Sequence, residues 1–288
     1  MALLAGRLVP LALSLAAAAT AAAVLTSCTA PRASGGSDGD SHRDAPPRPR
    51  VMAALGDSIT RAFAACDGGG DCVESSWATG TDRDVDSHRQ RLDLDDSNST
   101  HNVAVSGARV SGLAAQVEAA VRVRPDYVTV LIGANDACAP SEAAMTPVDD
   151  YTRVFDGAIA TLVRELPDVR VLVLSVPDLA RLWEVGKDRD DVRRVWQSHG
   201  ICQTMLADPT DTGAAAQARR DRVRQRVQAY NAVMAAACSR HAGQCRHDGG
   251  AVFDHRFTLD DVSTVDFWHP SARGQATLAE VAWKAGYW

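Results

Sequence analysis

Lysine is almost missing from this chain. Nearly all of its 30 basic residues are arginine, with Lys only at 187 and 284, and acidic residues outnumber them to leave a formal net charge of −6. No basic block is interleaved with aromatics, and aromatic residues make up only 5% of the sequence. A nucleic-acid partner is therefore not expected. The arginine bias reads as genome composition rather than as a binding surface. No C-x-x-C spacing occurs among the seven cysteines, which are scattered along the chain. That excludes the usual zinc frameworks, and no metal site is expected. Beyond the N-terminus no apolar run is long enough to cross a bilayer.

What is present first is an export signature. Arg7 precedes the apolar run "LVPLALSLAAAATAAAVL", about the length of a signal-peptide core. Alanine dominates it and a small residue stands before Cys28, which favours cleavage over an uncleaved span. The tetrad "LTSC", residues 25–28, resembles the lipobox of bacterial lipoproteins and makes Cys28 the expected lipidation site. We assign 1–27 to a lipoprotein-type signal peptide, 28–49 to a disordered linker and 50–288 to one folded domain. The linker is rich in Pro, Gly, Ser and charge, a flexible tether stiffened near its proline-rich end. Its Gly35–Gly39 stretch fits G-x-S-x-G, but that motif needs a strand before it and a helix after it. A cell-surface lipoprotein, or else a secreted protein, is the expected outcome.

Six cysteines remain after Cys28. In an exported protein that number points to three disulfides. Fifteen connectivities are possible, and spacing alone does not choose among them rigorously. We favour the two close pairs, Cys66–Cys72 and Cys238–Cys245, which leave Cys138–Cys202 as the long bridge.

From residue 50 onward short apolar segments alternate with longer amphipathic ones. Strands are expected at 50–55, 102–105, 126–132, 169–175 and 251–253. Their near-continuous apolar character suits strands buried on both faces. Helices are expected at 87–93, 109–123, 147–166, 216–241 and 271–284. The helix at 147–166 has Thr146 as its cap, Pro147 first and an early Asp149, with Pro167 ending it. Alternation of this kind implies an α/β fold, a three-layer α/β/α sandwich around a five-stranded parallel sheet with right-handed crossovers. Function in such sheets gathers beyond the carboxyl ends of the strands. Ser58 follows the first expected strand, Gly107 the second and Asn135 the third, so small or polar positions land on one sheet edge.

Taken singly, each of these has a plainer role. Serine after a strand usually caps a helix, and asparagine shapes turns. Four blocks taken together resemble the SGNH/GDSL hydrolase family: "GDSIT" with Ser58, "NVAVSGA" with Gly107, "GAND" with Asn135 and "DFWH" with Asp266 and His269. "ESSWATG" and "DSHRQRL" are closest to its phospholipase-B-like branch. The resemblance implies Ser58 as nucleophile, His269 as general base and then acid, and Asp266 as the group that orients the imidazole. It implies an oxyanion site from the backbone N–H groups of Ser58 and Gly107 with the amide of Asn135, and no cofactor. Asp57 is expected to shape the turn. One departure stands out: relatives follow "GDSIT" with a small residue and glycine, whereas here Arg61-Ala62-Phe63 follows.

Two further stretches compete for attention. "DRDVDSHRQRLD", residues 82–93, spaces its acids like a calcium loop, but Ser87 replaces the turn glycine and reads as a helix cap. Residues 179–212 carry Trp183, Trp196 and Cys202 and are longer than an ordinary connection. They form either a disulfide-pinned surface excursion with its tryptophans packed inward, or a wall or lid over an acyl chain. The expected protein is an exported, monomeric serine ester hydrolase acting on a lipid or other small carboxylic ester, tethered to the membrane if Cys28 is lipidated. An acetylated-carbohydrate esterase and a non-catalytic envelope binding protein are the alternatives.

Overall fold

Burial on both faces decides where the strands form. The computed structural model describes residues 47–288; the leader, Cys28 and the Gly35–Gly39 stretch lie outside the described residues. Five strands run Met52–Gly56 (β1), Thr100–Asn102 (β2), Tyr127–Leu131 (β3), Arg170–Val173 (β4) and Cys245–His247 (β5). All neighbours pair in parallel in the order β2-β1-β3-β4-β5. Every residue of β1 and β3 is buried, so side chains pointing either way meet protein, and the alternation of a half-exposed sheet is absent.

Ten α-helices, besides four short 3-10 turns, complete the described elements: His88–Arg91 (α1), Leu113–Val123 (α2), Ala134–Ala137 (α3), Val148–Glu165 (α4), Leu179–Gly186 (α5), Asp190–Ser198 (α6), Gln203–Leu206 (α7), Ala214–Arg240 (α8), Ala251–Asp254 (α9) and Ala272–Ala285 (α10). The strand order first steps leftward from β1 to β2 and then moves rightward through β3, β4 and β5. Right-handed crossovers therefore put α2, α4 and α8 together on one face and α1 on the other. The contacts agree: α4 packs on both α2 and α8. Opposite them α10 closes over α1, where Trp77 and Trp283 meet the edge of the buried His88 ring and Tyr127 lies parallel to it. Burial holds His88 neutral, its pKa lowered to about 3, and its Nδ1 shares a hydrogen bond with Tyr127 Oη. It belongs to the core.

Three local expectations are corrected. Residues 251–253 are helical, not a strand. Asp248 accepts from the N–H groups of Gly250 and Val252, and that capping turns the chain into α9. The fifth strand is instead Cys245–His247, an edge strand whose Cys-Arg-His sequence carries no apolar run. Thr146 does not cap α4; its hydroxyl donates to Asp136 Oδ1, and Pro147 takes the cap position without a side-chain bond. The second strand is displaced to 100–102, although Val103 and Val105 still donate to the carbonyls of Ala54 and Gly56. Ser87 and Ser271 cap α1 and α10 as expected, which removes the calcium-loop geometry from 82–93. The disulfides join Cys66–Cys72, Cys138–Cys202 and Cys238–Cys245. No helix among the described residues is long and apolar enough to cross a membrane.

The strand order reverses at β1, so the crevice between the ends of β1 and β3 is the topological switch point. Buried carboxamides finish the ladders there. Gln116 of α2 accepts from Gly56 N–H and donates to Gly56 C=O. Gln275 of α10, fully buried, accepts from Trp77 N–H and donates to Ile59 C=O. Replacing Gln275 by leucine would orphan one backbone donor and one acceptor, each costing roughly 1–3 kcal/mol. Urea unfolding of Gln275→Leu should show a loss of about 2–5 kcal/mol; a loss under about 1 kcal/mol would mean these backbone groups find other partners.

Candidate active site

Ser58 is delivered by a tight exit from β1. Gly56 has φ +149°, and a Cβ on it would lie 2.3 Å from the carbonyl oxygen of Leu131. Only glycine lets the strand end this close to β3. Asp57 Oδ1 then accepts from Ile59 N–H at 2.9 Å, and Phe63 N–H closes the turn on the carbonyl of Ser58. The Asp57 side chain shapes the turn, as its position suggested.

His269 and Asp266 arrive from the loop before α10. Asp266 Oδ1 accepts from the N–H groups of Trp268 and His269 at 2.9 and 3.0 Å, and its Oδ2 lies 2.6 Å from His269 Nδ1. His269 Nε2 lies 2.8 Å from Ser58 Oγ. With Nδ1–H donated to the carboxylate, Nε2 is left to accept the serine proton. Burial pushes the Asp266 carboxyl upward, but the hydrogen bonds and charge of His269, with the two backbone N–H groups, outweigh it and hold the group below its ordinary value. Phe267, between the two, has φ +52°, a left-handed conformation costing an L-residue roughly 1–2 kcal/mol.

Gly107 and Asn135 meet through Ala108. Gly107 sits at φ +80°, and Asn135 Nδ2 donates to the carbonyl of Ala108 at 2.9 Å. That bond uses one of the two amide hydrogens and leaves the second. The N–H groups of Ser58 and Gly107 have no acceptor among the described residues. Asp136 anchors the loop from below: its Oδ2 accepts from Val110 N–H, and burial raises its pKa.

The departure after "GDSIT" has a structural outcome. Ala62 and Ala64 both take left-handed conformations, φ +51° and +57°, so Ala62 adopts a backbone that favours glycine. Phe63 packs its ring 4.8 Å from the His269 ring. Arg61 Nε donates to Asp71 Oδ2 at 2.8 Å, and Ser106 Oγ donates to Asp71 Oδ1. The loop closed by Cys66–Cys72 is thereby tied to the residue before Gly107.

Beside the Ser–His pair is an apolar pocket. Its lining includes Ile59, Ala134, Trp268 and Pro270, chain neighbours of Ser58, Asn135 and His269, and Leu182 and Val185 of α5. The 179–212 segment thus contributes a wall, while its tryptophans pack inward: Trp183 and Trp196 are buried, with indole N–H groups on the carbonyls of Pro209 and Phe267. The inward packing of the tryptophans is as expected.

The family model for the GDSL-like Lipase/Acylhydrolase family matches residues 54–277. The chain belongs to this family. It is an ester hydrolase of the esterase or lipase type. Among solved structures it is similar to a catalytic mutant of an acetylxylan esterase from Geobacillus stearothermophilus, at 16% identity and TM-score 0.50, covering 82% of this chain and 93% of that one. It is also similar to an extracellular lipase from Streptomyces rimosus, at 18% identity and TM-score 0.47, covering 82% and 99%. At such identities the likeness is one of fold. No curated protein matches significantly.

The five residues singled out from sequence lie at one sheet edge of this GDSL family member. Sequence reasoning marked Arg61 to Phe63 as a departure but missed the packing of Phe63 on His269 and the Arg61–Asp71–Ser106 chain, for which no motif exists, and did not separate Asp136 from the rest of its block. One buried group makes a pH prediction. Burial raises the Asp57 carboxyl from 3.8 to about 7, against the lowering pull of the Ile59 N–H and the His269 charge. Between those values the folded chain keeps a proton that the unfolded chain has released, so this residue makes stability fall as pH rises from about 4 to about 7. Asparagine has no such proton. Urea midpoints should show Asp57→Asn gaining on wild type across that window and holding a constant difference above it; a pH-independent difference would show that Asp57 does not titrate there.

Proposed function

We propose that this chain is an exported serine ester hydrolase that works through an acyl-enzyme on Ser58. The observation that supports the reading is the unbroken relay from Ser58 Oγ through His269 to Asp266, at 2.8 and 2.6 Å. Ser58 Oγ attacks the ester carbonyl as His269 Nε2 takes its proton. The tetrahedral oxyanion is received by the N–H groups of Ser58 and Gly107 and the amide of Asn135. The imidazolium then gives its proton to the leaving alkoxide, and the alcohol departs. Water attacks the acyl-serine by the same route in reverse, with His269 again the base, and frees the acid and the serine. Asp266 fixes the tautomer and stabilises the imidazolium. Each oxyanion donor contributes about 100–1,000-fold in turnover, and no metal or organic cofactor enters a step.

The acyl group belongs in the apolar pocket. Lined by Ile59, Leu182, Val185, Phe257 and Trp268, it suits an acyl chain of a few carbons. The substrate we propose is a short-chain carboxylic ester; a longer phospholipid tail would have to leave the pocket. The rival reading is an esterase that removes acetyl groups from carbohydrate, which the same chemistry would serve. Three disulfides suit an oxidising compartment, and we retain Cys28 as the proposed lipid anchor.

A fluorophosphonate probe should label wild type and not Ser58→Ala. Equal labelling of the two, or none of wild type, removes the acyl-enzyme. On p-nitrophenyl esters from acetate to palmitate, kcat/KM should peak near butyrate. Leu182→Ala should move that peak toward longer chains. A peak at acetate together with deacetylation of acetylxylan would establish the rival; a peak at palmitate would mean the acyl chain lies elsewhere.

A further inference from the structure

The loop that carries Asp266 and His269 is held from beneath by the excursion that precedes α8. Trp196 of α6 has no exposed surface, and its indole N–H donates to the carbonyl oxygen of Phe267 at 2.7 Å. That carbonyl belongs to the peptide joining Phe267 to Trp268. The N–H at the other end of the same peptide is one of the two that hold Asp266 Oδ1. A trans peptide is planar, with its C=O and N–H pointing in opposite directions. Fixing the carbonyl therefore fixes the direction in which the N–H meets the carboxylate.

The neighbouring peptide is held as well. Phe267 N–H donates to the carbonyl of Ser263, Ser263 N–H donates to the carbonyl of His269, and Ser263 Oγ donates to the carbonyl of Ala64. Phe267 keeps φ +52° under these restraints. Without the bond from Trp196 the peptide is free to rotate toward a relaxed conformation, with its carbonyl left unpaired in a buried position. The packing makes room for the indole specifically: a Cβ on Gly186 of α5 would lie 2.4 Å from the Trp196 ring.

We propose that Trp196 is a positioning residue for ester hydrolysis, its indole N–H clamping the Phe267–Trp268 peptide that orients Asp266 toward His269. The inference rests on reading Ser58, His269 and Asp266 as the reacting machinery. It gives residues 179–212 a role beyond lining the acyl pocket, because the same excursion presents Leu182 to the pocket and Trp196 to the loop that bears the base.

The test uses the full folded chain with two replacements at position 196. Trp196→Phe removes the donor and part of the ring. Incorporation of 3-benzothienylalanine keeps the bicyclic shape and replaces the N–H with sulfur, so packing survives when the hydrogen bond does not. With p-nitrophenyl butyrate, kcat should fall by about 10–100-fold in both, the scale expected of a reacting group misplaced by about an ångström. KM should stay within about twofold in both, the split expected when geometry rather than binding is lost. The low-field proton resonance of His269 Nδ1–H should broaden or disappear in both. A benzothienyl variant with wild-type kcat and an intact resonance overturns the proposal, even if its melting temperature falls, because Trp196 would then only fill space. A rise in KM with kcat unchanged overturns it too, in favour of a role in binding. Failure of the underlying reading has a different signature: the wild type itself would neither turn over ester nor be labelled at Ser58.

Discussion

The contact on which the site depends is between two backbones. At the end of β1 the position a side chain would take at Gly56 is occupied by the carbonyl oxygen of Leu131. No other residue can be accommodated without separating β1 from β3, and that separation would open the crevice at the switch point. Because the approach is this close, Ser58 and Asn135 leave adjacent strands on either side of a narrow cleft. The chemistry of the site is thus a consequence of strand spacing before it is a consequence of side chains.

Strands that end inside the protein leave polar groups with no ladder to complete, and buried backbone groups without partners are costly. This chain meets the difficulty with carboxamides, each of which both accepts and donates. Gln116 holds Gly56, Gln275 holds Ile59 and Trp77, and Asn231 of α8 accepts from Val176 N–H and donates to Val176 C=O. The helices therefore support the site by hydrogen bonds to the exposed ends of the sheet as well as by apolar packing. Asp57 Oδ2 is among the buried side-chain atoms left without a partner. Its raised pKa follows from that and from its burial next to a negative neighbour, Asp136.

Much of this was legible in the sequence, for reasons that differ by element. β1, β3 and β4 announce themselves because burial on both faces writes a continuous apolar run. Ser58, Gly107, Asn135, Asp266 and His269 are picked out by the resemblance of their four blocks to the SGNH/GDSL family, with Ser58, Gly107 and Asn135 each following a strand. β5 was not legible. An edge strand of three residues, Cys245–His247, is fixed by its pairing with β4 and by the Cys238–Cys245 bridge rather than by its own side chains. Its nearest apolar run, Ala251 to Phe253, was diverted into a helix by Asp248. Thr146 was misread for a related reason: its sequence neighbours offered it a helix to cap, and the fold offered it the buried carboxylate of Asp136. Long-range partners leave no local pattern, which also hid the Arg61–Asp71–Ser106 chain and the bond from Trp196.

The two halves of the site are therefore supported in different ways. Ser58 and the proposed oxyanion groups follow strand ends, where the parallel sheet and its glutamines hold the chain. His269 and Asp266 stand on a loop with no strand beneath it, whose backbone adopts a left-handed turn at Phe267. A loop of that kind keeps a strained conformation only where its surroundings over-determine it. Here the surroundings are Ser263, the first loop at Ala64, and an excursion fastened to the sheet edge by Cys138–Cys202, whose 64-residue separation contributes ~4 kcal/mol by restricting the unfolded chain. The disulfide, α5, α6 and the His269 loop form one mechanical unit. A change in the pocket wall and a change in the orientation of His269 are for that reason not independent, and substitutions along 179–212 that alter one are expected to alter the other.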